Sequence, residues 1–428
     1  MLATSLLAQT TINPQPGTSI GAKSLEATEY TLPPDKLAKS HALYTIRNWL
    51  VALSTVYSFL ILFLFIRWRF VVKLRDWAER ITRRRFVHAI IIIPLFASSF
   101  LLLRLPFSVY GHHLGLKYGI SVQGWGSWLR DWAVELALII AVGTVVVWIF
   151  YLVVARSPRR WWLYFWIAMI PVSAFLTFIA PVAIDPLFYT SEPLEAKHPE
   201  LVEVLEKVSR NGGLEIPRDR MFEMKASSKV TGPNAYVTGF GATKRVVVWD
   251  TAIQQFTAPE LMVVFGHEMG HYVLGHVVHG FVLGMLFLLA LLYATYHLAS
   301  WIQNRWTSAW DIRGLHDWAS LPLLLLIASL LSFVSEPGLN AESRRIEHAA
   351  DVYGLEVTHG LVANAGQVDA HAFQILGENW LEYPYPSRVA VMWDWDHPTI
   401  SDRIRFAMNY DPWSRGESPR YVRVPAKQ

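Results

Sequence analysis

The sequence predicts a mostly helical, polytopic membrane protein: about six transmembrane helices, plus a polar part carrying a small β-hairpin sheet. Three observations lead there. Hydrophobic residues make up 53% of the 428 residues and charged residues only 17%, a balance that suits several membrane spans joined by polar parts. Six apolar runs, roughly 48–66, 86–103, 132–154, 161–180, 277–302 and 318–335, are long enough or nearly so to cross a hydrocarbon core about 30 Å thick. Trp49, Trp132, Trp148, Trp161, Trp162, Trp301 and Trp318 stand at or near the run ends, where interfacial anchors collect. One buried soluble helix can imitate such a run; six cannot easily be explained that way. The sixth is the shortest and is expected to end at Glu336-Pro337.

Charge orients these runs. The net charge of +4 sits in short loops beside apolar segments, so it reads as a topology signal and no nucleic acid is expected as a partner; the lipid bilayer is. After the first run come Arg67, Arg69, Lys73, Arg75, Arg80, Arg83, Arg84 and Arg85 against Asp76 and Glu79, and after the third Arg156, Arg159 and Arg160. The positive-inside rule makes both loops cytoplasmic. The N-terminus, the 104–131 loop, the 185–276 segment and the C-terminal part then face the extracytoplasmic side of a bacterial-type inner or cell membrane. With no cysteine, disulfides, thiolate metal sites and a cysteine nucleophile are excluded. Met1–Gln9 resembles the tail of a secretory signal peptide as much as an ordinary chain start. Residues 1–40 read as an exposed arm, 41–185 as a transmembrane region of four spans, and 186–428 as the region that holds the chemistry and the last two spans.

Between the runs the polar parts have readable periodicity. Leu201, Val204, Leu205 and Val208 fall at helical spacing within 194–211. Ala235–Phe240 and Arg245–Trp249 flank Gly241-Ala242-Thr243-Lys244 as a hairpin. Thr257, Pro259 and Glu260 form a capping box with proline in the first turn. From there the helical pattern continues to about residue 302, on the order of 65 Å, so its first part is expected outside the membrane and its second part within it.

That first part carries His267-Glu268-Met269-Gly270-His271. Residues four apart share a helix face, so both imidazoles can reach one ion, and Glu268 is placed to take a proton from the attacking water and hand it to the leaving amine. Catalytic zinc needs about three protein ligands and an open position. The candidates for the third are His276, His279, Glu336, Glu347, His348, Asp351, His371 and His397. Of these His276, five after His271, lies off the shared face. Glu347 and Asp351 share a face on a helix over about 340–356.

Together with further segments, these residues resemble the integral-membrane zinc proteases of the CAAX prenyl protease type, the a-factor-converting family, more distantly related to HtpX-like proteases. The resemblance rests on Leu105-Pro106-Phe107 with Tyr110, on Gly119, Ser121 and Gln123, and on Pro181, Ile184, Pro186, Leu187 and Phe188. It extends through Asn234-Ala235-Tyr236 with Gly239-Phe240 and Lys244-Arg245, the zinc motif with Gly275-His276, Ser343-Arg344-Arg345 with Glu347, Ala350 and Asp351, and His397-Pro398 with Arg403. It implies a zincin-like part of the gluzincin kind, HExxH…E, with one Zn2+ per chain on His267, His271 and Glu347. It further implies Asp351 behind a ligand histidine, His397 and Arg403 polarising the scissile carbonyl or holding its oxyanion, and Asn234, Ala235 and Tyr236 as a substrate-side strand edge. A water-filled chamber enclosed by the spans is also implied. The function expected is a zinc endopeptidase acting on membrane-associated peptides or proteins, prenylated ones among them. A quality-control protease of the HtpX kind is the alternative, and a transporter or scaffold with a structural zinc site the second. The family's site is expected to face the cytosol, opposite to what the loop charges imply.

Overall fold

The computed structural model describes residues 29–239 and 244–422, so the chain's first nine residues and the hairpin turn at 241–243 lie outside the described residues. Apolar runs become helices because the bilayer core offers no partner to a free backbone N–H or C=O. In chain order the helices are α1 (Pro34–Arg67), α2 (Phe70–Ile81), α3 (Arg85–Tyr118), α4 (Trp125–Arg156), α5 (Trp161–Phe178), α6 (Ala180–Phe188), α7 (Pro199–Asn211), α8 (Asp250–Gln255), α9 (Ala258–Val273), α10 (His276–Trp306), α11 (Leu321–Thr358), α12 (Ala365–Trp380), α13 (Arg388–Asp394) and α14 (Ile400–Asn409). Six segments, α1, α3, α4, α5, α10 and α11, are long and apolar enough to cross a membrane. Their burial is uneven: 6% of the most apolar window of α10 and 17% in α4 and α5, against 44% in the segment that holds α11.

Several elements depart from the periodicity. Of the segment 1–40, the described part from residue 29 is no exposed arm, because Tyr30 and Leu32 are buried and α1 begins at Pro34. The helix expected from Thr257 to about 302 breaks at Gly275, which takes φ 70°. A left-handed residue closes α9 as glycine closes many helices, and α10 starts afresh at His276. The sixth run does not stop at Pro337. Proline removes the N–H that would bond the carbonyl four residues back, and Trp393 Nε1 donates to that Phe333 carbonyl instead, at 3.2 Å. With the orphan acceptor satisfied, α11 runs on past Pro337 to Thr358, 38 residues in all.

The sheet has four strands, not two: β1 (Ser191–Pro193), β2 (Met221–Met224), β3 (Ala235–Thr238) and β4 (Arg245–Trp249), in the order β1-β2-β4-β3. The expected pair β3–β4 is antiparallel, with Tyr236 opposite Val247, while β2 runs parallel to β4. Leu205, Val208, Met221, Val246, Val247, Phe265, Met269 and Val357 close one core beneath this sheet, joining α7, α9 and the end of α11.

The crossings sort the connections into two groups. At one end Arg75, buried after α1, bonds Asp317 at 2.5 Å before α11, and Arg313 pairs with Glu79 at 2.7 Å. At the other, Val122 N–H donates to the Lys229 carbonyl at 2.8 Å and Lys229 pairs with buried Asp131, tying the spans to the sheet.

Candidate metal centre

The site is made where α9 crosses α11. The contact is close because both helices present small residues. A Cβ on Gly354 would come 2.9 Å from the His267 backbone nitrogen, and one on Gly270 would come 3.2 Å from the Ala350 Cα. Backbone meets backbone there, so side chains one turn away converge. His267 Nε2 and His271 Nε2 lie 3.1 Å apart. Glu347 brings Oε2 to 3.3 Å from His267 Nε2 and Oε1 to 3.5 Å from His271 Nε2. The three ligand atoms lie within 4.8 Å of one another.

The donor set fits zinc on the structure's own terms. Two imidazoles and a carboxylate are a common catalytic zinc set, and bonds of about 2.0–2.1 Å at a tetrahedral ion place ligand nitrogens roughly 3.3 Å apart. Glu347 Oε2 is buried with no hydrogen-bond partner among the described residues, an acceptor that a cation would satisfy. His267 tells the same story. Burial disfavours its charged form, yet the neighbouring carboxylates of Asp351 and Glu347 outweigh burial and hold its pKa up to about 10. Carboxylates that would retain a proton there equally favour a divalent cation in its place.

Each histidine is held from behind. His267 Nδ1 lies 2.8 Å from Asp351 Oδ1, which fixes the proton on Nδ1 and turns the Nε2 lone pair into the cluster. Arg403 grips the same carboxylate through Nη2 at 2.6 Å and Nε at 3.1 Å, and comes within 3.2 Å of His267 Nδ1. Arg403 is thus placed behind His267 on the Nδ1 side, not on the open side where an oxyanion would form. His276, off the shared face by helical counting, nonetheless meets His271, Nδ1 to Nδ1 at 3.2 Å, because the break at Gly275 restarts the helix between them. His371 bonds Glu260 in the α9 capping box, and His348 packs against the Phe406 ring.

Two groups face the cluster. Burial raises the Glu268 carboxyl above its ordinary range, even with two imidazoles nearby pulling the other way. His397 stands 3.4 Å from Glu347 Oε1, with Nδ1 bonded to Asp396 at 2.8 Å and 53% of its side chain accessible. Burial works against its charge, but Asp396 and Glu347 hold it above the ordinary imidazole range.

Strand β3 is the sheet edge, and α9 runs beside it. Trp249 N–H donates to the Asn234 carbonyl at 3.0 Å. Antiparallel pairing alternates, so Asn234 and Tyr236 turn their backbone groups to β4 while Ala235 and Val237 turn theirs to the open edge. The Tyr236 hydroxyl donates to Asp185 at 2.8 Å. Of the three residues expected at the edge, Ala235 alone turns toward it, with only its carbonyl free because its N–H donates to Asn234 Oδ1 at 2.9 Å, and Val237 joins it. The small-residue contact of Gly266 and Gly270 with Ala350 and Gly354 also escaped the sequence reading, although a four-residue spacing on both helices was there to see.

Comparison with known proteins follows this geometry. A family model described as peptidase family M48 matches residues 195–411, and one described as CAAX prenyl protease N-terminal, five membrane helices, matches residues 23–190. The uncharacterized metalloprotease YhfN of Bacillus subtilis (strain 168) is 33% identical over 378 residues, 88% of this chain and 86% of that protein. A CAAX prenyl protease 1 homolog of Oryza sativa subsp. japonica is 29% identical over 311 residues, 70% and 68% of the two chains. The crystal structure of S. mikatae Ste24p shares the fold, with a TM-score of 0.75 at 22% identity over 90% of this chain and 94% of that one. With the model match spanning β2 to β4, both metal-binding helices and the C-terminal helices, the chain belongs to peptidase family M48 and is a membrane metalloprotease.

Proposed function

We propose that this protein is a zinc endopeptidase that seats an extended, membrane-associated peptide along the open edge of β3 and cleaves it at His267, His271 and Glu347. The observation that carries this reading is the convergence beside Glu268 of two Nε2 atoms and a buried carboxylate oxygen with no hydrogen-bond partner among the described residues. One zinc ion held there would supply a Lewis acid that polarises the scissile carbonyl and acidifies water. Glu268, its pKa lifted by burial, takes the proton of the attacking water and passes it to the leaving amine. Asp351 holds the His267 proton on Nδ1, and Arg403 keeps that carboxylate ionised and aimed. His397, accessible and favoured in its charged form, donates to the developing oxyanion. The Ala235 carbonyl and the Val237 backbone hydrogen-bond the substrate main chain, which gives affinity with little demand on side chains.

Two observations bear on the substrate, and they pull apart. Relatives named CAAX prenyl protease 1 homolog support peptides ending in a prenylated cysteine motif. The arginine-rich segments lie at the bundle end opposite the site, which supports an extracytoplasmic site and envelope proteins as substrates. Matched prenylated and unprenylated peptides, offered to the full-length protein, decide between them. For the chemistry itself, Glu268→Gln should retain metal by elemental analysis and lose at least about 100-fold in kcat; a variant that cleaves as fast as the parent sinks the proposal. Glu347→Gln and His271→Ala should lose the metal together with activity.

A further inference from the structure

Far from the metal cluster, at the arginine-rich end of the bundle, a cavity of about 270 Å3 opens between the start of α3, the end of α4 and the approach to α11. Its walls are Trp148, Tyr151, Leu152 and Trp318, and two guanidinium groups, Arg85 and Arg156, complete the lining. No carboxylate lines it. Arg156 makes no hydrogen bond or ion pair among the described residues, and Arg85 donates only to the His316 carbonyl, at 2.7 Å, while lying 5.7 Å over the Trp318 ring. Two arginines at this end, Arg75 and Arg313, are by contrast neutralised, Arg75 by Asp76 and Asp317 and Arg313 by Glu79. The cavity thus concentrates two cations that the protein itself leaves without counter-charge.

We propose that this cavity binds the headgroup of an anionic phospholipid from the adjoining leaflet. The phosphate meets Arg85 and Arg156, and the glycerol lies against the aromatic walls. The acyl chains descend along Phe86, Ile90, Val142 and Val145, all exposed on α3 and α4. Position selects the lipid over a soluble anion. Both cations stand at the ends of membrane-spanning helices, Arg85 first in α3 and Arg156 last in α4, at the depth where headgroups sit. Basic pockets between spans are sites of this kind, and each Lys or Arg near a charged leaflet contributes about 1 kcal/mol, or roughly fivefold in affinity. The volume accommodates a glycerophosphate unit and leaves the chains outside on apolar helix faces. Free phosphate would gain nothing from Trp148 or Trp318.

The test uses full-length protein in neutral detergent, an equal mixture of phosphatidylglycerol and phosphatidylcholine, and native mass spectrometry of retained lipid. Phosphatidylglycerol should be retained in preference. Arg156→Gln should cut its retention about fivefold and Arg85→Gln/Arg156→Gln about 25-fold, while Arg210→Gln, an equal charge loss on α7, should change nothing. Ala155→Trp, which fills the mouth without altering charge, should abolish retention. Because Arg156 has no hydrogen-bond or ion-pair partner among the described residues, its replacement removes no such internal bond, and unchanged peptidase activity in the same preparation reports an intact fold. Equal retention of the two lipids overturns the proposal. So does undiminished retention in both Arg156→Gln and Ala155→Trp, or displacement by inorganic phosphate as effective as by short-chain phosphatidylglycerol.

Discussion

Around His267 a carboxylate, a guanidinium and an imidazole form one unit, and its parts should fail differently. Asp351→Asn keeps the shape but removes the charge that Arg403 and the His267 Nδ1–H both use. Loss of such a partner typically costs 10–100-fold in metal affinity, so competition with a fluorescent chelator should show a drop in that range while Glu268 stays in place. Close by, Asp369 is buried, and desolvation, reinforced by Asp351, pushes its pKa up to about 7. The folded state then keeps a proton that the unfolded chain releases near 4. Its contribution is fully present below pH 4 and is lost as pH rises towards 7, on the order of 4 kcal/mol at 1.36 kcal/mol per unit. Asp369→Asn should therefore melt higher than the parent at pH 8, with the gap closing towards pH 4; a gap that does not vary with pH would contradict this. At this scale His267, Glu268 and His271 were legible because four-residue spacing defines a face. His276 stays outside the ligand set, as its spacing indicated, but its contact with His271 Nδ1 was not legible because helical counting presumes an unbroken helix. Glu347 could not be singled out by spacing among eight candidates; its place came from family resemblance, and the structure brings it to the two histidines.

Helices show what periodicity can and cannot report. All six spans were readable, since a bilayer demands long apolar runs, but their ends were not. Gly275 sits in a pattern that continues on both sides, so only its left-handed backbone marks the break. Pro337 looked like a terminator because the rescue comes from Trp393, 56 positions later in the sequence. A cycle of variants tests that rescue. Trp393→Phe should destabilise by about 1 kcal/mol through the orphaned Phe333 carbonyl. Pro337→Ala should erase the loss by restoring an N–H four residues on. Strands β1 and β2 went unread because three or four residues cannot display an alternation. At the α9–α11 crossing, Gly354→Ala would set a methyl 2.9 Å from the His267 nitrogen. Neither backbone can retreat without moving a ligand, so a loss of about 1–3 kcal/mol in stability should be accompanied by reduced metal content, and normal metal loading would argue against the tight-contact account.

Taken whole, the molecule has two chemically distinct ends, and their polarity is open to a direct measurement. Positive-inside reasoning predicts that a reporter fused after Gln428 gives an extracytoplasmic signal; a cytoplasmic one would reverse the orientation and favour prenylated cytosolic substrates. The rod-like α11 has a mechanical corollary. At 1.5 Å per residue, the stretch of this helix from Leu321 to Glu347 makes a lever of about 39 Å, reaching from the opposite leaflet to the metal-site carboxylate. A rigid lever of that length moves its tip roughly 0.7 Å per degree of tilt, whereas ligand distances tolerate only about 0.2 Å. Helices tilt to match the hydrocarbon they occupy, so lipid chain length should tune this enzyme: in bilayers of graded thickness, turnover and metal retention should peak together and fall together on either side.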